Sequence, residues 1–246
     1  RKNYFTIEIA VEHEREDVSF YLSVQNKHKQ LFEKQIIAIF PDAQVTEQKN
    51  DYNIFNEDGI SSGAYAKSGT NSIFPIKTYE EFDYDPLNTI LNSFSKIERE
   101  GEGAAIQLVV RPVGDEFSTH YKQAIRELEG GASLKEATNI AYSIGKGVAK
   151  EFKKLFSSSK KEEDKGIKQK EQDAIEQINK KLESPILSTN IRLVASAENR
   201  HRAEEILHGL ESSFNQFENT KGARLEFERV ADSRLESFLH GFAFRM

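Results

Sequence analysis

The stretch SIGKGVAK, residues 143–150, sets a lysine between two glycines, residue types that hold phosphate when a glycine-rich loop opens a helix. A Walker A loop has a glycine five positions before its Gly-Lys pair and a Ser or Thr after the lysine. Backbone N–H groups then converge on the phosphates and a hydroxyl reaches Mg²⁺. Here the pair is Gly145-Lys146, position 140 is Ile140, and Gly147 follows the lysine with no hydroxyl. The stretch reads as a helix interior with two small residues. His201, Glu205 and His208 share one helix face, and Glu205-x-x-His208 has the spacing of a di-metal ligand pair. Such a site needs a second copy on a facing helix, which the sequence lacks, so solvated polar residues are the expectation. Glu80, Glu81, Asp83 and Asp85 in EEFDYDP lack EF-hand spacing and fit helix capping and dipole complementarity instead. His120 follows Ser118 and Thr119, but nothing signals an activated nucleophile. No catalytic, cofactor-binding or metal-ligating residue is assigned, and no cofactor is expected.

The segment from Lys146 to Lys170 carries nine lysines against four acids. Such an excess usually marks a solvated helix face or linker. If the segment meets DNA or an anionic surface, Lys146, Lys150, Lys153 and Lys154 are the candidate contacts. The formal net charge of −6 argues against a surface that coats nucleic acid generally. The absence of cysteine excludes disulfides, thiolate catalysis and cysteine-based zinc sites. No run approaches the roughly 18 apolar residues of a membrane helix.

The elements that position these residues follow from periodicity. YFTIEIAVEH (4–13) and VSFYLSVQ (18–25) alternate as strands, with Phe5, Ile7 and Ile9 opposite Thr6 and Glu8, and ERED between them is a turn. A helix over about 27–40 ends at Pro41, AQVTEQ reads as a strand, and 56–72 reads as a loop or edge hairpin. Asp85 and Pro86 start a helix with Leu87, Ile90, Leu91 and Phe94 as its buried stripe, and GEGAAIQLVVRP (101–112) is a strong strand. Helices are expected over 117–128 and 133–156, the second with a near-heptad seam. Beyond Pro185, NIRLVASA and ARLEFERV alternate around a helix at 200–217, and RLESFLHGFAFRM begins a helix and a strand. The reading is an α+β chain. It has two ferredoxin-like sandwich units, antiparallel sheets with helices on one face, at 1–113 and 185–246. Amphipathic helices (114–156) and a polar linker with a helix (157–184) join them. The apolar ends lead to the expectation of a piece of a longer protein, its second unit cut short.

GEGAAIQLVVRP, NIRLVASAENRHRAEEILHGLESSFNQF and FLHGFAFRM together resemble the region ahead of the motor in conjugation-type, HerA/FtsK-like ATPases of type IV secretion. Arg111-Pro112, Asn190-Ile191-Arg192 and Phe214-Asn215-Gln216-Phe217 carry the resemblance most. It implies a non-enzymatic assembly and docking region, with the Walker motifs and ATPase activity in a longer parent. It also implies a cytoplasmic place at the inner face of the membrane, with other subunits of a secretion or DNA-translocation complex as partners and self-association in the full-length protein. A nucleic-acid-binding adaptor using 146–170 is the alternative, with weak binding expected.

Overall fold

The computed structural model describes residues 3–15, 17–69, 72–98, 100–137 and 169–246. The SIGKGVAK stretch, Lys146, Lys150, Lys153 and Lys154, most of the 133–156 helix and the linker at 157–168 lie outside the described residues. The alternating N-terminal runs form β1 (Phe5–Val11) and β2 (Val18–Ser23), joined by a turn in which Glu14 takes a left-handed φ of 71°. α1 (Lys29–Ile39), β3 (Ile60–Ser68), α2 (Pro86–Phe94), β4 (Gly103–Pro112) and α3 (Glu116–Glu129) follow. The C-terminal part holds α4 (Gln169–Leu182), β5 (Leu187–Ala197), α5 (Arg200–Ser212), β6 (Leu225–Arg229) and α6 (Asp232–Ala243). Local chemistry sets the helix starts. The Asp85 carboxylate accepts the Leu87 N–H at 2.9 Å, with Pro86 in the first turn, and Asn199 accepts the Arg202 N–H at 3.0 Å.

The chain is α+β with antiparallel strands. In place of two separate sheets, the strands of both segments join one six-stranded sheet of order β2-β1-β4-β5-β3-β6. β3 makes the difference. It comes from the 56–72 region expected as loop or edge hairpin, yet it lies inside the sheet, antiparallel to β5 and β6 of the C-terminal segment. Its small residues suit that place. Ala64 is fully buried, and a Cβ on Gly63 would lie 2.4 Å from the Phe238 ring, so α6 rests directly on the β3 backbone there. AQVTEQ forms no strand; its one large apolar residue, Val45, is exposed and has no apolar face to complete.

Helices cover both faces of the sheet, not one. On the first face Ile9, Val11, Ile106 and Leu193 pack against Ile206, Leu207 and Leu210 of α5 and Phe94 of α2. The alanines at 64, 104, 195 and 197 let α5 approach closely. On the second face Ala10, Ala105 and Val194 meet Ile54 and Phe242, so α6 and the chain around 52–55 form its cover. β4 reads as a nearly continuous apolar run because both of its sides are buried. α3 and α4 pair separately around Tyr121, Leu128 and Ile178, joined by Ile73. Among the described residues, no helix is long and apolar enough to cross a membrane.

Candidate functional site

The second face holds a row of polar side chains at one level, one from each strand. The register pairs Tyr21 with Glu8, Glu8 with Gln107, Gln107 with Arg192, Arg192 with Tyr65, and Tyr65 with Glu228. Because side chains alternate along a strand, matched register puts all six on the face that α6 covers. Glu8 and Gln107 are 1% and 0% exposed, so the polar half of the β1 alternation faces the protein interior and not water.

Buried polar groups need partners, and here each finds them in sequence. Glu8 Oε1 accepts from Gln107 Nε2 at 2.8 Å and from Arg245 Nε at 2.9 Å, while its Oε2 accepts from Arg245 Nη2 at 3.0 Å. The Gln107 amide also donates to the Phe242 carbonyl at 2.9 Å, and its oxygen accepts from Arg192 Nη1 at 3.1 Å. Arg192 Nη1 donates to the Gly241 carbonyl at 2.8 Å and Nη2 to a main-chain oxygen of Met246. Arg245 reaches outward as well, to Asp51 at 2.7 and 2.8 Å, and lies over the Tyr52 ring, which stacks on Tyr21 at 4.2 Å. The two-sided fork on Glu8 and Asp51 is the strong, directional form of charge pairing.

The end of α6 is built to deliver Arg245. The Met246 N–H bonds the Gly241 carbonyl at 2.8 Å and the Arg245 N–H bonds that of Phe242 at 3.1 Å, the pattern of a Schellman cap. Arg245 occupies the left-handed position, φ 55°, where glycine is usual. A side chain there costs on the order of 1–2 kcal/mol, which the bonds to Glu8 and Asp51 offset. Among the described residues no strand follows α6, because this turn closes the helix at Phe244.

The electrostatics follow from the pairing. Hydrogen bonding to Arg245 holds the Asp51 carboxyl below the usual carboxylate range, and Asp51, with Glu8 next, holds Arg245 above the ordinary guanidinium value. Burial and then the Glu8 charge push the Tyr52 hydroxyl far up. Tyr21 is pushed up to about 12 by burial and by its bond to Glu12. Arg192 is shifted the other way, downward, by burial. A cavity of about 280 Å³ opens beside it, lined by Tyr65, Asn190, Ser237 and Phe238 among others. Away from the row, Lys181 is pushed down to about 8 by burial, its ammonium donating to the Ser72 and Phe74 carbonyls over the Tyr121 ring.

A second region is apolar and open. β2 ends the sheet, so one of its backbone edges is unpaired among the described residues. Phe20 and Leu22, opposite Ile9 and Ile7, are exposed, Phe20 at 56%. A Phe5–Phe32 ring contact at 5.0 Å tacks α1 beside them. The sheet does not cover α1: no residue of the helix is buried, and Ile39 and the Phe40 that follows it are 67% and 62% exposed.

The residues singled out by spacing fall elsewhere. His201 and His208 lie on the exposed side of α5, where Glu205 pairs with His201 at 3.3 Å and Arg202 at 3.4 Å. Glu81 closes a capping box with Thr78 and bridges Lys180 at 2.9 Å, and Asp85 caps α2. His120 sits on α3. Of the residues carrying the resemblance, Asn190 and Arg192 line the cavity, Arg111 and Pro112 pair with Ser188 and Leu187, and Phe214 is in the core. Spacing missed Glu8, Gln107, Arg192 and Arg245. The available signal was a polar residue inside an apolar run, Gln107 in AAIQLVV and Arg192 in NIRLVAS. No curated protein and no solved structure matches the chain. A family model does, over residues 3–245, and so nearly the whole chain, polar row and open edge included, belongs to the family described as Domain of unknown function (DUF8128).

Proposed function

We propose that the chain is a non-catalytic assembly and docking region of a type IV secretion or DNA-translocation ATPase. It positions the motor against a membrane complex or neighbouring subunits, at the cytoplasmic face of the membrane. The open β2 edge with the uncovered side chains of β2 and α1 carries the reading. Sheet edges take up partner strands through main-chain bonds, and apolar patches of this kind mark interaction surfaces. The polar row supports a scaffold in the same way: Glu8 is hydrogen-bonded at both oxygens by neighbours that hold it in place, which suits positioning and not proton transfer.

Photo-crosslinking from Phe20 and Ile39 in cells that make the protein tests the proposal. Crosslinks to subunits of a translocation complex are expected, reduced several-fold by Phe40→Glu. Crosslinks confined to proteins unrelated to any such complex, or none at all, would reject it.

A further inference from the structure

We infer that the open edge of β2 pairs with β2 of a second copy of this chain, antiparallel and about a two-fold axis near Leu22. Two six-stranded sheets then become one. The inference names an occupant for the edge already read as a docking surface, and it rests on that reading of the edge.

The two ends of the sheet differ in the features that prevent such pairing. β6 is five residues long and carries Glu226, Glu228 and Arg229. Short length and charge are what keep an edge from adding strands. β2 and the two residues after it, VSFYLSVQ (18–25), hold no charge, no proline and no glycine. Its outward N–H and C=O groups are left for another strand. The chain also stays extended beyond the last β1 pair at Ser23, with Gln25 at φ −64° and ψ 139°.

Charge selects the occupant and its direction. Asp17 precedes the strand and Lys27 follows it, and both are exposed. Among the described residues neither is in an ion pair, whereas the neighbouring Arg15 meets Glu12 and Lys29 meets Glu47. Asp17 and Lys27 each stand five residues from Leu22. Antiparallel pairing centred there sets Asp17 of each copy beside Lys27 of the other, whereas parallel pairing in the same register would set like charges together. The contact is self-complementary, as a two-fold interface must be. A two-fold normal to the sheet also keeps each face on its own side, so the exposed Phe20 and Leu22 of both copies meet in one apolar strip. The Phe5–Phe32 contact holds α1 to that same face. A stable interface buries roughly 1,200–2,000 Å², more than two strand edges supply, and the uncovered Ile39 and Phe40 add apolar area beside the strip.

Sedimentation across a concentration series tests the pairing. A reversible dimer is expected. Phe20→Lys, which charges the edge at an exposed position, should weaken it about tenfold or more. The melting temperature in dilute solution, where the parent is monomeric, should not change. Asp17→Lys and Lys27→Asp each set like charges together and should weaken the dimer several-fold, while the double variant restores it. A monomer at every concentration, a dimer indifferent to Phe20→Lys, or a double variant no better than the single ones would overturn the inference. A monomer that still crosslinks from Phe20 to another subunit overturns the second copy and leaves the docking reading standing. A dimer lost in Phe20→Lys, with crosslinks that join only copies of the chain, supports the inference and rejects docking to a translocation complex.

Discussion

Ile9, Ile106 and Leu193 lie one residue along from Glu8, Gln107 and Arg192 on the same three strands, yet the two triplets meet opposite environments. The first packs under α5 in an apolar layer whose cohesion scales with buried area and depends weakly on angle. The second sits under α6, where cohesion runs through hydrogen bonds between named atoms. An apolar layer tolerates a small slide of its helix. A row in which one guanidinium bridges Glu8 and Asp51 does not. The α5 face therefore supplies bulk stability, while the α6 face specifies where one helix stops and how its end is oriented.

The largest effects should come from breaking either face at its centre. Glu8→Ala leaves Arg245 and the Gln107 amide without their shared acceptor and is expected to cost about 3–5 kcal/mol; Leu207→Ala, fully buried in the α5 layer, should cost about 2–5 kcal/mol. Denaturant titration gives both values, and hydrogen exchange separates them. Glu8→Ala should raise exchange first in α6, and Leu207→Ala throughout the sheet. Equal, sheet-wide exchange in both variants would erase the distinction between the faces.

Gly63→Ala tests the close approach of α6 without touching a charge. Its Cβ would meet the Phe238 ring, and overpacking of this kind costs about 1–3 kcal/mol. The loss should appear as a lower denaturation midpoint and recover in part with Phe238→Leu.

A smaller and pH-dependent effect belongs to Asp51. Its folded pKa lies below the unfolded value of about 3.9, so its contribution is present above that value and lost as pH falls through the lowered one. The side chain is about half exposed, so Asp51→Asn should cost at most about 1 kcal/mol at neutral pH. The gap from the parent should close in acid. A gap unchanged at pH 2 would mean that shape and not charge holds Arg245.

The smallest effect on stability is expected at the open edge. Ile39→Glu replaces an exposed side chain and should move stability by no more than about 0.5 kcal/mol. It should still lower the crosslinking yield, so association and folding would separate cleanly. A large loss of stability would instead show that α1 is part of the core.

Sequence alone determined the elements whose causes are local. The alternation in FTIEIAV, the Asp85-Pro86 start, the apolar run of β4 and the periodic stripe of α5 each depend on residues a few positions apart, and each forms where periodicity puts it. Tertiary structure decided which faces are covered. β3 looked like a loop because a strand that must leave room for a helix is built of Gly, Ser and Ala, poor strand formers by themselves. Glu8 stayed unmarked because alternation tells which side it points to but not what lies there. Its partners Gln107 and Arg245 stand 99 and 237 residues further along the chain. A local period cannot encode that distance; only the closing of one sheet from both ends of the chain brings the row together.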